Sequence, residues 1–156
     1  MAFNQTKSDV STALLFIRLA LGIVIFAHGA QKVLGWFGGA GFSATIEIFR
    51  TNLSYPLWMV LLLMFIEFLG SLGLIIGFMT RLSATGIAII MVVCAYQNHL
   101  QNGFFMNWYG QKAGEGFEYH ILVLGMCFAL MSFGGGFCSL DRLLTSNRRR
   151  DFQRIL

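Results

Sequence analysis

Four apolar stretches constrain this chain more than anything else in its sequence. They cover residues 12–30, 56–80, 82–98 and 119–140. Each is near the ~20 residues an α-helix needs to cross a ~30 Å hydrocarbon layer. The first carries Arg18 as its one formal charge, the second carries Glu67, and the other two carry none. Lipid offers no partner for a free N–H or C=O, so a segment inside it must satisfy its own backbone, and a helix does so. Composition agrees. Of 156 residues, 56% are hydrophobic and 12% charged, about half the ~25% of a soluble domain, and mean hydropathy is +0.69. So few charges do not cover a water-exposed surface. The expected fold is all-α, an integral membrane four-helix bundle.

The segments between the stretches refine this. Residues 1–11 are polar, and the apolar run behind them exceeds the ~7–15 residues of a cleaved signal core. It is expected to be a retained first span. The second and third stretches meet at "MTRLS", a tight hairpin. Between the first and second lies "FSATIEIFRTNL", with Phe42, Ile46 and Phe49 at i, i+4 and i+7. That period predicts a short helix lying in the membrane interface. Between the third and fourth lies "LQNGFFMNWYGQKAGEGFE", whose Trp and Tyr suit the headgroup level.

Basic residues set the expected orientation. Lys7, Arg81, Arg142, Arg148, Arg149, Arg150 and Arg154 fall on the side of the termini, against Lys32, Arg50 and Lys112 on the other. Both termini are therefore expected in the cytoplasm of a bacterial cell, with the bundle in its inner membrane. Residues 1–144 read as the membrane domain and 145–156 as a basic cytoplasmic tail. The net charge of +4 reflects that tail, which suits anionic lipid rather than nucleic acid.

Polar residues inside a membrane usually face the bundle. At 100° per residue, Arg18 shares a face with Gly22, Gly29 and Lys32, and Glu67 shares one with Ser71 and Arg81. The same rule aligns Arg81, Thr85, Ala88, Val92, Ala95 and His99 on the third stretch, and Glu118, Gly125, Ala129 and Ser132 on the fourth. Counting 1.5 Å per residue puts Arg18 and Glu67 within roughly 5 Å of the midplane. Opposite charges at one depth suggest a buried ion pair. His28, Lys32, His99 and Glu118 fall at the outer helix ends. They form a candidate ligand pocket roofed by the "GWFGGAG" turn that follows the first stretch, with snorkelling to headgroup water as the competing reading. His120 lies about 200° from Glu118, so only one of the two faces inward. Arg81, Asp141 and Arg142 are the polar group expected at the inner side.

Several chemistries find no support. The glycine turn lacks G-x-G-x-x-G after a strand, and no Walker A sequence occurs. Cys94, Cys127 and Cys138 lack C-x-x-C spacing, and buried apolar cysteine is usually inert. No metal-binding set is evident, and no Ser-His-Asp order or H-E-x-x-H points to hydrolysis.

The segments "RLALGIVIFAHGAQKVLGWFGGAG", "RLSATG", "NGFF" and "GFEYHILVLGMCFALMSFGGGFCSLDRLL" resemble the DoxX family of small membrane proteins. The resemblance runs from about Leu15 to Leu144. It rests on Arg18, Gly22, His28-Gly29, Lys32, the Phe37-Gly38-Gly39 turn, Glu67, Arg81, Asn102-Gly103, Glu118-Tyr119 and Ser139-Leu140-Asp141-Arg142. It implies a four-helix membrane bundle associated with redox functions. One branch is a subunit of thiosulfate:quinone oxidoreductase, and another works with superoxide dismutase and a sulfurtransferase. Many relatives carry proline where this chain has His120, and the cysteines stand outside the shared pattern.

Three functions follow. The favoured one is a component of a membrane redox system, such as a subunit of a quinone-linked oxidoreductase. An outward pocket would take a quinone or a small sulfur-containing molecule, with quinone favoured over haem or metal as the bound group. The second is a non-enzymatic anchor or assembly partner for a soluble redox enzyme. The third is a small-molecule or proton conduit from His28 through Glu67 to Arg81, which in so short a chain implies a homo-oligomer.

Overall fold

The structure is a computed structural model and describes residues 2–146. All regular structure among them is helical. Helix α1 spans Ala2–Val33 and α2 spans Phe42–Asn52. Helix α3 runs over Leu57–Ile76 and α4 over Thr80–Asn102. Helix α5 covers Glu118–Phe133. A further helical stretch begins at residue 140. The basic tail expected from 145 onward lies almost wholly outside the described residues.

Among the described residues, three helical segments are long and apolar enough to cross a membrane: Ser8–Val33, Leu57–Ile76 and Thr80–Asn102, with 26, 20 and 23 residues. Helix α5 is apolar but shorter, at 16 residues. Their outer faces are apolar as well: Phe16, Ile23, Trp58, Leu62, Phe65, Ile89 and Phe128 are all exposed. An apolar surface of this extent is the mark of a chain solvated by lipid. Leu21, Ile25, Leu74, Ile87, Val123, Cys127 and Leu130 form the interior between α1, α3, α4 and α5.

The fourth apolar stretch breaks earlier than its hydropathy suggests. Helix α5 stops at Phe133, because Gly134 and Gly136 take φ of 81° and 68°, a region closed to helices of L-residues. The inward faces also differ from the uniform 100° reading. On α5 the buried residues are His120, Val123, Cys127 and Leu130, while Gly125 and Ser132 are exposed. On α4 they are Thr80, Ala84, Ile87, Ala88, Ile90 and Met91, while Arg81 and Val92 are exposed. Small and polar residues were poor guides here, because the apolar exterior of a membrane protein hides its apolar interior from any hydropathy pattern.

Two helices carry a π turn, Ile66–Gly70 in α3 and Ala95–His99 in α4. A π turn inserts a residue into the helical ladder and shifts the facing of everything beyond it. The first lies midway along α3 and the second near the end of α4 away from the chain termini, and both hold residues of the candidate site.

At the terminal end, Asp141 ties three segments together. Its Oδ1 accepts from Met79 N at 2.8 Å and its Oδ2 from Thr80 N at 2.9 Å. A carboxylate on the free N–H groups that open α4 satisfies donors the helix leaves unpaired and complements its dipole. Such a cap contributes about 0.5–2 kcal/mol. Asp141 N in turn donates to Gly77 O at 2.9 Å.

Candidate functional site

Glycines on α1 set the register against α3. A Cβ on Gly29 would stand 2.8 Å from Phe68 Cα, and one on Gly22 would stand 3.2 Å from Ser71 O. Further along, Gly77 backs directly onto the Arg18 guanidinium. The two helices run antiparallel, so Arg18 lies opposite Gly77 and Gly29 lies opposite Glu67 and Phe68.

This register overturns the expected Arg18–Glu67 pair. Arg18 and Glu67 are separated by the rise from residue 18 to residue 29, about 16 Å. Arg18, 1% exposed, instead donates from Nη2 to Cys138 O at 3.1 Å and Phe137 O at 3.4 Å. Its Nε and Nη1 are buried without a partner among the described residues. The depth estimate failed because it centred both apolar stretches on one midplane, whereas the contacts at Gly29 and Gly77 slide α1 along α3 and put the α3–α4 hairpin over Arg18.

Glu67 pairs with Lys32. The Nζ–Oε2 distance is 2.5 Å, and the Glu67 side chain is 6% exposed against 23% for Lys32. This is the ion pair found among the described residues. Close approach at Gly29 makes it geometrically available: without a Cβ there, α1 sits against the π turn that carries Glu67.

A cavity of about 300 Å³ opens beside this pair. Its floor holds Lys32, Glu67, Cys94 and Asn98, and its walls include Met59, Leu62, Leu63, Ile66 and Ile90. Phe49, Leu53 and Tyr55 close it from the side of α2. Apolar walls with a few convergent polar groups are typical of a small-molecule site. Burial raises the Tyr55 phenol above its ordinary pKa, with a smaller push from Cys94, so Tyr55 stays protonated.

The structure separates the four residues expected to share one outer pocket. Lys32 lines the cavity. His28 is exposed on α1. Glu118 accepts from Met106 N at 3.0 Å and Trp108 Nε1 at 3.2 Å, and so organises the aromatic loop before α5. His99 Nδ1 bonds Glu115 O of the same loop at 2.9 Å. The roof expected from "GWFGGAG" is absent too. That turn folds back on the end of α1, where Gly41 N donates to Gln31 O at 3.1 Å and Gln31 Nε2 to Phe37 O at 3.3 Å.

The polar trio at the terminal end does come together. Arg81, Asp141 and Arg142 line an open groove of about 1090 Å³ with Ser8, Ser11 and Thr80. Its charges are engaged locally: Asp141 caps α4, Arg81 donates to Ser132 O at 3.1 Å, and Arg142 donates to Ser11 Oγ at 3.4 Å.

The family model that matches the chain is DoxX, over residues 13–100. The chain belongs to the DoxX family. Neither the curated proteins nor the solved structures compared with it give a match. The matched stretch contains Arg18, Lys32, Glu67 and Cys94 and ends just beyond His99, so the cavity floor of this DoxX protein lies inside it, while Glu118 and His120 lie outside.

Sequence reasoning missed one further grouping. Donor atoms of Cys94, His99 and His120 all lie within 4.8 Å of one another, and the two imidazole centroids are 4.4 Å apart. In a regular α-helix residues five apart are about 140° out of register, so Cys94 and His99 read as unrelated. The π turn between them closes with Leu100 N donating to Ala95 O, which brings residues i and i+5 to one side. A π turn has no signature in hydropathy, and the helical period gave no hint of this group.

Proposed function

We propose that this DoxX protein is a four-span component of a bacterial inner-membrane redox system that binds a quinone, or a small molecule of similar polarity, in the Lys32–Glu67 cavity. The observation that carries this reading is an ammonium–carboxylate pair in a mainly apolar cavity that opens among the helices. An apolar ring enters such walls readily. Lys32 Nζ would donate to a ligand carbonyl oxygen, while Glu67 holds that ammonium in place and is positioned to exchange a proton with it. The anchor reading predicts no cavity reaching Lys32, and the cavity that does reach it favours a binding role. The conduit reading needs His28 and Arg81 on an internal path, and both are exposed.

Binding of a short-chain ubiquinone or menaquinone to detergent-solubilised protein tests the site. Saturable binding is expected. Lys32→Gln should weaken it by about 10-fold or more, the worth of one hydrogen bond from a charged donor. Leu62→Trp, which fills the cavity wall, should weaken it too. Binding that is absent, or indifferent to both changes, refutes the reading.

The proposed topology places both termini in the cytoplasm, α5 as the fourth span and α2 flat in the interface. The basic residues at the terminal end support it. In a cysteine-free background, Gln111→Cys should react with an impermeant maleimide added outside intact cells, and Ser146→Cys only after lysis. The opposite pattern inverts the protein.

A further inference from the structure

The geometry points to a metal site: Cys94, His99 and His120 bind a single thiophilic d10 cation, Cu(I) or Zn(II), between the π turn of α4 and the first turn of α5. One thiolate and two imidazoles suit these ions and suit neither Mg²⁺ nor Ca²⁺, which take oxygen ligands. Metal–ligand bonds of about 2.0–2.3 Å hold donors about 3.5 Å apart. The three donor atoms already lie within 4.8 Å of one another, so closing the site asks for movements of only about 1 Å.

Two observations beyond proximity support a ligand here. His99 Nδ1 lies 2.9 Å from the carbonyl oxygen of Glu115. A backbone carbonyl only accepts, so the proton sits on Nδ1 and the Nε2 lone pair is free. Metal-bound histidines are oriented in this way by the partner of their other nitrogen. The same carbonyl accepts from Asn102 Nδ2 at 3.0 Å, which fixes the loop that holds the ring. His120 is 5% exposed, and its Nδ1 is buried with no hydrogen-bond partner among the described residues. A buried polar nitrogen without a partner is costly, and metal coordination by the ring would relieve that cost. Loss of the thiol proton on binding completes the charge balance: a thiolate neutralises the single charge of Cu(I) and half that of Zn(II), which takes water as a fourth ligand.

Cys94 also lines the quinone cavity, yet metal binding requires no quinone and does not rest on the function proposed above. The test therefore uses the full chain in detergent, stripped of metal and free of quinone. Co(II) stands in for Zn(II) as an optical probe, and Cu(I) is titrated anaerobically against a chromogenic chelator. One ion per chain is expected, with thiolate-to-cobalt charge-transfer absorption. Cys94→Ser should abolish that absorption. His99→Gln and His120→Gln should each weaken binding by more than about 10-fold, a loss already typical of groups that only support a ligand. The Cys127→Ser/Cys138→Ser double variant should keep the full signal. Elution profile and helical circular dichroism of each metal-free variant check folding. If buried His120→Gln does not fold, the variants at half-buried Cys94 and His99 decide the outcome. Charge-transfer absorption that survives Cys94→Ser, or an ion held no more tightly by the native chain than by Cys94→Ser/His99→Gln, overturns the site.

Discussion

Lys32→Met should destabilise the protein in detergent by about 3–5 kcal/mol, the usual result of removing one partner from a buried ion pair. The Glu67 side chain is 6% exposed, so without Lys32 its carboxylate is left among mainly apolar walls with no other cation paired to it among the described residues. Removing both charges should behave differently. Lys32→Met/Glu67→Met replaces the pair with apolar side chains of similar length, and such exchanges are often neutral or stabilising. The double variant is therefore expected to recover most of the loss, read as apparent melting temperature. A double variant less stable than either single one would show that the two side chains act independently. The same experiment checks the register of α1. Arg18→Met and Glu67→Gln affect groups about 16 Å apart, so their losses should add within about 0.3–0.5 kcal/mol. Strong coupling between them would restore the Arg18–Glu67 pair that the fold excludes.

Gly77→Ala is the second large effect. Gly77 has φ of +72°, and a Cβ there would stand 2.6 Å from Ser139 Cβ and would collide with the Arg18 guanidinium. The left-handed backbone alone costs an alanine about 1–2 kcal/mol. Overpacking adds about 1–3 kcal/mol, because Arg18 is buried and bonded to the Phe137 and Cys138 carbonyls and has little room to retreat. Gly38→Ala separates the two contributions. Gly38 has φ of +75°, and a Cβ there would meet nothing within 4 Å, so it should show the backbone cost alone. Comparable losses at the two positions would mean that Arg18 moves aside freely. A larger loss at Gly77 identifies the contact between Arg18, the α3–α4 hairpin and residues 137–139 as the closure of the terminal end.

The elements of this protein were legible because their causes are local. Long apolar runs marked α1, α3 and α4, the i, i+4, i+7 pattern of Phe42, Ile46 and Phe49 marked α2, and the break at "MTRLS" marked the hairpin. Lipid solvation and family membership followed from the same residues. The partners of the charged groups were decided by tertiary structure alone. Which residue of α1 meets Glu67 depends on how far two antiparallel helices slide past each other. Gly29 sets that slide through a backbone contact that no hydropathy pattern records. The grouping of Cys94, His99 and His120 depends on a π turn, and on an aromatic loop pinned through Glu115 and Glu118. A 100° period describes a straight helix surrounded by water. Here lipid makes the outer face as apolar as the inner one, and the π turns change the period at the two places where the polar groups meet.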